Sequence, residues 1–316
     1  MRTAAFRVAG WAILSALGSI ACSSNPDVAC HAGADCASGI CLSDGTCAPP
    51  AGSDGGGTDA PSSSDAPGDA PGDVLQSSDA PVTGCVPNND GTILASEVPL
   101  KAGLHANFRV ATNVTVDTAG QTQGNGARAW DLSGALSGDQ DMAIDTVAIG
   151  GAWYAASFPN ASYAARMSIQ TNLLGVFRTS GSALLLDGIV SPTSAAPQTN
   201  VSYQPEVEAL AFPLTMNASW STTSTVQGTA SGVPVVYTEA YSSQVDAHGT
   251  MKTPFGTFDV LRARTTLTRT VGLTVTVIRS FAFVTECFGT IVTITSQADE
   301  TKVEFTSAAE VQRLAP

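Results

Sequence analysis

Between Arg7 and Lys101 the chain has no lysine and no arginine, yet the same stretch carries eleven acids, from Asp27 to Glu97. Beyond it, 16 acids face 12 bases, so the formal net charge of -13 belongs mainly to the front third. There is no basic stripe of the kind that tracks a phosphate backbone, which excludes nucleic acid as a partner. Histidine is scarce too. His31, His105 and His248 are the only three. None has a second ligand at metal spacing or a Gly-x-Ser-x-Gly elbow to serve, so no metal, no cofactor and no catalytic residue is assigned. Long apolar runs are also missing after the first 21 residues: "SALLLDGIV" is short and is broken by Asp187. A bilayer needs about 20 such residues, so any membrane link must be covalent.

What the front does hold is an export signal. Arg2 and Arg7 form a positive start, and "VAGWAILSALGSIA" is an apolar core of signal length, giving a signal peptide over 1–21. "LGSIAC" resembles the lipobox of bacterial lipoproteins, with Ser19 where that family usually has leucine. The resemblance implies that Cys22 is acylated and becomes the mature N-terminus. With Ser23 and Ser24 following and no aspartate directly after the cysteine, it also implies sorting to the outer membrane or cell surface. The partner is then the lipid bilayer, reached through the acyl chains. Ordinary signal-peptidase cleavage is the alternative, because Ser19 and Ala21 also satisfy a small-x-small rule. Parity favours acylation. Setting Cys22 aside leaves six of the seven cysteines, an even set for an oxidising compartment.

After an anchor segment, 22–29, Cys30, Cys36, Cys41 and Cys47 lie among Gly, Ala, Ser and Asp. Such a stretch cannot bury a core, so two disulfides closing a loop-rich knot over 30–47 are the expected staple. Three pairings are open, and the interleaved one, Cys30 with Cys41 and Cys36 with Cys47, is preferred. A four-cysteine zinc site is the competing arrangement, but its ligand pairs usually sit closer and need reduced thiolates. "DCASGIC" and "SDGTCAPP" resemble a short module of predicted myxobacterial surface lipoproteins. From residue 48 to residue 84 the composition collapses to Gly, Ser, Ala, Asp and Pro, with "DAP" recurring. That segment reads as a disordered acidic spacer, since it has too few apolar side chains to offset the entropy of ordering.

From Cys85 to Pro316 the signature is β. "ANFRVATNVTVD", "SYAARMSIQT", "ASWSTTSTVQG" and "VPVVYTEAYSSQVDAHG" read as strands, followed by three long strands broken at Gly272, at 287–289 and at Asp299. Val271, Leu273, Val275 and Val277 share a parity with Phe281 and Phe283, which predicts one continuous buried face. "KTPFG" reads as a turn. In "SAAEVQRL", Ser307 and Glu310 match a capping box and predict a short terminal helix. Cys85 and Cys287 are the last unassigned cysteines and are expected to pair, which makes 85–316 one all-β antiparallel domain, a sandwich or a curved half-barrel.

Candidate chemistry in this domain is sparse. Asp246 and His248 are two apart and read as a solvent-side strand pair. Glu206 with Glu208 is a carboxylate pair of the kind a glycosidase uses. Asp139, Asp141 and Asp145 in "DQDMAID" resemble part of a calcium loop, without its middle ligand or its glycine. Asn113, Asn160, Asn200 and Asn217 open Asn-x-Ser/Thr sequons, without meaning in a bacterial lipoprotein. Trp130, Trp153 and Trp220 read as core residues rather than a sugar platform. "GTMKTPFGTFDVLRAR" resembles uncharacterised exported families predicted to share the curved half-barrel of lipoprotein carriers. That resemblance implies a concave face for an acyl chain, against which stands a closed core. The expected function is a noncatalytic ligand-binding or structural role in the envelope, with a glycan or an apolar molecule as ligand. A carboxylate-dependent exported hydrolase is the alternative.

Overall fold

The computed structural model describes residues 85–316. Cys22, Cys30, Cys36, Cys41, Cys47, the export signal and the acidic spacer lie outside the described residues.

The described residues hold sixteen strands and three short 3-10 turns, with no α-helix among them. In chain order the strands are β1 Thr92–Ile93, β2 His105–Thr115, β3 Gln121–Thr122, β4 Arg128–Asp131, β5 Gln140–Asp145, β6 Tyr163–Arg166, β7 Leu174–Thr179 and β8 Ala183–Val190. They continue with β9 Asn200–Ala211, β10 Leu214–Thr215, β11 Ser219–Ala230, β12 Val233–Lys252, β13 Thr257–Val271, β14 Thr274–Thr285, β15 Gly289–Ser296 and β16 Ser307–Ala315. One antiparallel sheet runs β5-β2-β16-β15-β14-β13-β12-β11-β9-β8-β7-β6. A bridge between Val147 and Ala164 links the chain just after β5 to β6, so the sheet nearly closes into a barrel. Closure leaves little open edge to aggregate. β4 is the exception in direction, lying parallel to the last four residues of β12, where β11 has already ended.

The central strands carry apolar side chains on both faces at one end. Phe281 and Phe283 pack with Trp130 and Phe305, whereas Leu261 and Val284, of the opposite parity, pack with Tyr163, Leu184 and Leu210. Trp130 meets Phe283 edge to face at 5.0 Å, and its indole N–H donates to the Thr118 carbonyl, which makes it core as expected. Cys85 and Cys287 form a disulfide with a Cα separation of 5.6 Å. It ties the start of the domain to the β14–β15 turn. There Glu286 accepts hydrogen bonds from the backbone N–H groups of Asn88 and Asn89, and Cys287 N–H donates to the Glu97 carbonyl.

Two expectations are overturned. Ser307–Ala315 is not a helix but β16, paired with β15 on one side and β2 on the other. Glu310 accepts from Ser168 and Gln312 rather than capping Ser307. The gap between β15 and β2 demands a strand, and long-range pairing there overrides the local capping signal. The buried face predicted along β14 also fails at its start. Val271, Leu273 and Val275 are exposed, Leu273 fully, while Phe281 and Phe283 are buried. The β13–β14 hairpin outgrows its neighbour, since β15 pairs only as far as Ser280, and Phe305 covers the later residues only.

Candidate functional site

A backbone irregularity builds a cleft where β7, β8 and β9 meet. Val176 pairs with Gly188 and Phe177 with Leu186, so Asp187 has no partner on β7. On the other side Leu186 pairs with Val207 and Gly188 with Ser202, which leaves Asp187 bulged and residues 203–206 of β9 arched away from β8. Bulges re-aim side chains and interrupt pairing. Here the arch opens a cleft of about 220 Å³ bordered by Arg178, Asp187 and Glu206, with Phe158, Asn160 and Gln204 around them. Gly188 is required beside it, because a Cβ at that position would lie 2.3 Å from the Phe158 ring.

Arg178 is the hub. Its Nη2 is 2.9 Å from a Glu206 carboxylate oxygen, while its Nε stands 3.6 Å from Asp187 Oδ1, too far for a hydrogen bond. Asp187 is only 8% exposed, and its Oδ1 is buried with no hydrogen-bond partner. Burial pushes its carboxyl up to about 6, against the pull of Arg178 and with a further push from Glu206. A buried carboxyl left short of donors at a cleft is a group poised to take a ligand's hydrogen bond. Tyr203 forms part of the wall and packs with Leu186 and Val207. Burial, reinforced by the Glu239 charge, pushes its phenol above the ordinary range, so it stays a neutral hydroxyl.

Glu206 is therefore brought to a site, but its partner is Asp187 rather than Glu208. The Glu208 backbone accepts from the Trp220 indole and donates to Thr222. Sequence reasoning missed Asp187 as a site residue, although the one signal for it was visible: a lone carboxylate interrupting "SALLLDGIV".

The expected solvent-side pair of Asp246 and His248 does not form. A bulge between Val245 and Ala247 re-aims Asp246 to Arg262, whose Nε and Nη2 donate to its two oxygens at 2.9 and 3.0 Å. His248 instead borders a second cleft of about 270 Å³ with Asp259, Asn89 and Glu286, and its Nδ1 is buried without a partner. Asp139, Asp141 and Asp145 do not converge. They pair separately with Arg313, Arg109 and His105. Trp153, in the segment between β5 and β6, and Trp220, on β11, donate to the Ser191 and Glu208 carbonyls and build no common platform.

Comparison with protein-family models, curated proteins and solved structures finds no match for this chain.

Proposed function

We propose that this chain is an exported bacterial envelope lipoprotein, held to the outer membrane by acyl chains on Cys22, whose barrel domain binds a ligand without catalysis. The observation that carries the binding role is the open cleft in which Asp187 Oδ1 is buried without a hydrogen-bond partner, 3.6 Å from Arg178 Nε. A group left unsatisfied in a native fold costs stability, and a ligand that donates to it recovers that cost. The address rests on the sequence at Cys22 and is supported by the Cys85–Cys287 disulfide, a bond that persists in oxidising compartments. The acidic spacer would then hold the barrel away from the lipid surface.

Two measurements test this reading. The intact mass of the mature protein from envelopes should begin at Cys22 and include acyl chains; an unmodified Cys22 removes the anchor. Native mass spectrometry of the parent should reveal a copurified ligand that Asp187→Asn loses, and equal occupancy in both would end the role of the cleft. A second reading, carboxylate-dependent hydrolysis, is favoured by one observation: Asp187, pushed up to about 6, shares Arg178 with Glu206. Two carboxyls in unlike surroundings are what acid–base cleavage uses. It requires that Asp187→Asn and Glu206→Gln each abolish a detected bond cleavage.

A further inference from the structure

The outward side of the extended strands β11 to β14 differs chemically from the rest of this acidic chain. Registers align Ser219 with Gln244 and Gln244 with Arg264, and the next row aligns Ser242 with Thr266 and Thr266 with Arg279. Side chains directly opposite one another share a face, so these six stand together. Towards the hairpin tips the same parity continues with Thr223, Thr225 and Thr268. The two rows border a cavity of about 390 Å³ to which no carboxylate contributes.

The two guanidinium groups there are incompletely neutralised. Arg279 donates to Thr266 Oγ1 at 3.1 Å and to the Glu300 and Thr301 carbonyls at 3.0 and 3.5 Å, all neutral acceptors. Arg264 donates to the Gln244 amide oxygen at 2.6 Å. Its nearest carboxylate, Asp246, is 3.7 Å away and already holds Arg262 through both oxygens. Two arginines in a water-facing site, Arg279 among neutral acceptors and Arg264 sharing Asp246 with Arg262, attract an anion, and guanidinium matches a carboxylate or phosphate through paired N–H donors. The surrounding hydroxyls and amide both donate and accept, so they match a ligand rich in hydroxyls.

From these features we propose that the outward side of β11 to β14 binds an acidic polysaccharide, with Arg264 and Arg279 meeting its anionic groups and the serine and threonine rows meeting its hydroxyls. This site is separate from the Asp187 cleft, and Asp187→Asn is expected to leave it unchanged.

The test titrates the full chain with polygalacturonate and with a neutral dextran of matched length. Polygalacturonate should bind, and raising salt from about 50 mM to about 500 mM should weaken it. Replacing both arginines, Arg264→Gln with Arg279→Gln, should weaken binding by about tenfold or more, each lost charge-assisted contact contributing. Amide shift mapping of the unmodified protein supplies a readout that needs no variant: perturbations should cluster on β12, β13 and β14. Absence of polygalacturonate binding overturns the proposal. Equal binding to dextran, shifts confined elsewhere, or a folded double variant with undiminished affinity would do so as well. Displacement by inorganic phosphate at equal molar anion concentration would reduce the site to a simple anion pocket and remove the glycan from it.

Discussion

Arg262 and Asp246 form a two-pronged ion pair inside the sheet, and the remaining guanidinium donors are taken by Glu304 and the Thr118 carbonyl. The Phe281 ring centroid lies 4.3 Å from the guanidinium carbon and the Trp130 ring 5.5 Å, so the group is satisfied at its edges and covered on its faces. Removing one partner of a buried pair leaves an uncompensated charge. Arg262→Ala is therefore expected to destabilise the domain by about 3–5 kcal/mol, read as a loss of midpoint in urea unfolding. Asp246→Asn should cost less, because Glu304 remains to balance the arginine. An Arg262→Ala protein as stable as the parent would contradict the structural role given to the network.

Gly249 permits the parallel docking of β4. At φ +149° its backbone is in a region where a side chain is strained, and a Cβ there would fall 1.8 Å from the Arg128 carbonyl oxygen. Flexible side-chain movement cannot relieve a clash with main chain. Gly249→Ala should cost about 1–3 kcal/mol or more and selectively expose the amides of Arg128–Asp131 to hydrogen exchange. Unchanged protection of those amides would contradict the role given to Gly249.

The amount of this fold legible in the sequence depended on how locally each signal acts. β-branched runs separated by turn residues placed β11 to β15, and the "KTPFG" turn appears as the Thr253 N–H to Gly256 carbonyl bond. The Cys85–Cys287 pairing was expected by elimination, as the two cysteines left after the others were assigned. What failed was decided by strand pairings that no local signal encodes. The period-2 pattern of Val271, Leu273 and Val275 did not reveal that the hairpin register sets Val271 on the face opposite Val275, nor that all three stay exposed. Ser307 and Glu310 spelled a helix start, while the strands on either side imposed extension. The cleft was illegible for the same reason. Asp187 and Glu206 come together through two register slips, and register is written in pairings between strands rather than in any one of them.

The disulfide closes a sequence separation of 202 residues, nearly the whole described domain. A crosslink over so long a loop restricts the unfolded chain strongly, and loss of such a bond typically costs about 2–5 kcal/mol. The segment it fastens also delivers Ile93 and Val98 to the core shared with Leu214 and Leu261. Replacing Cys85 and Cys287 together by serine should lower the thermal midpoint, and adding reductant should lower that of the parent but not that of the variant. A parent insensitive to reductant while its mass reports free thiols would exclude a stabilising role for the bond.

Asp187 should make the domain less stable as pH rises. Its carboxyl ordinarily titrates near 3.8, whereas burial pushes it up to about 6 in the fold. Between those values the native state keeps a proton that the unfolded chain releases, so unfolding becomes easier across this window, and above pH 6 the full cost of ionisation is present. A neutral amide at this position carries no such cost, so Asp187→Asn should be more stable than the parent at about pH 7.5 by about 1–3 kcal/mol. The advantage should shrink as pH falls through the window and vanish near about pH 3.5, where both side chains are neutral. Urea unfolding of the two proteins across this range measures the difference directly. If the asparagine variant is instead weaker near neutrality, the charge attraction of Arg178 at 3.6 Å outweighs burial and the carboxylate is a stabilising partner.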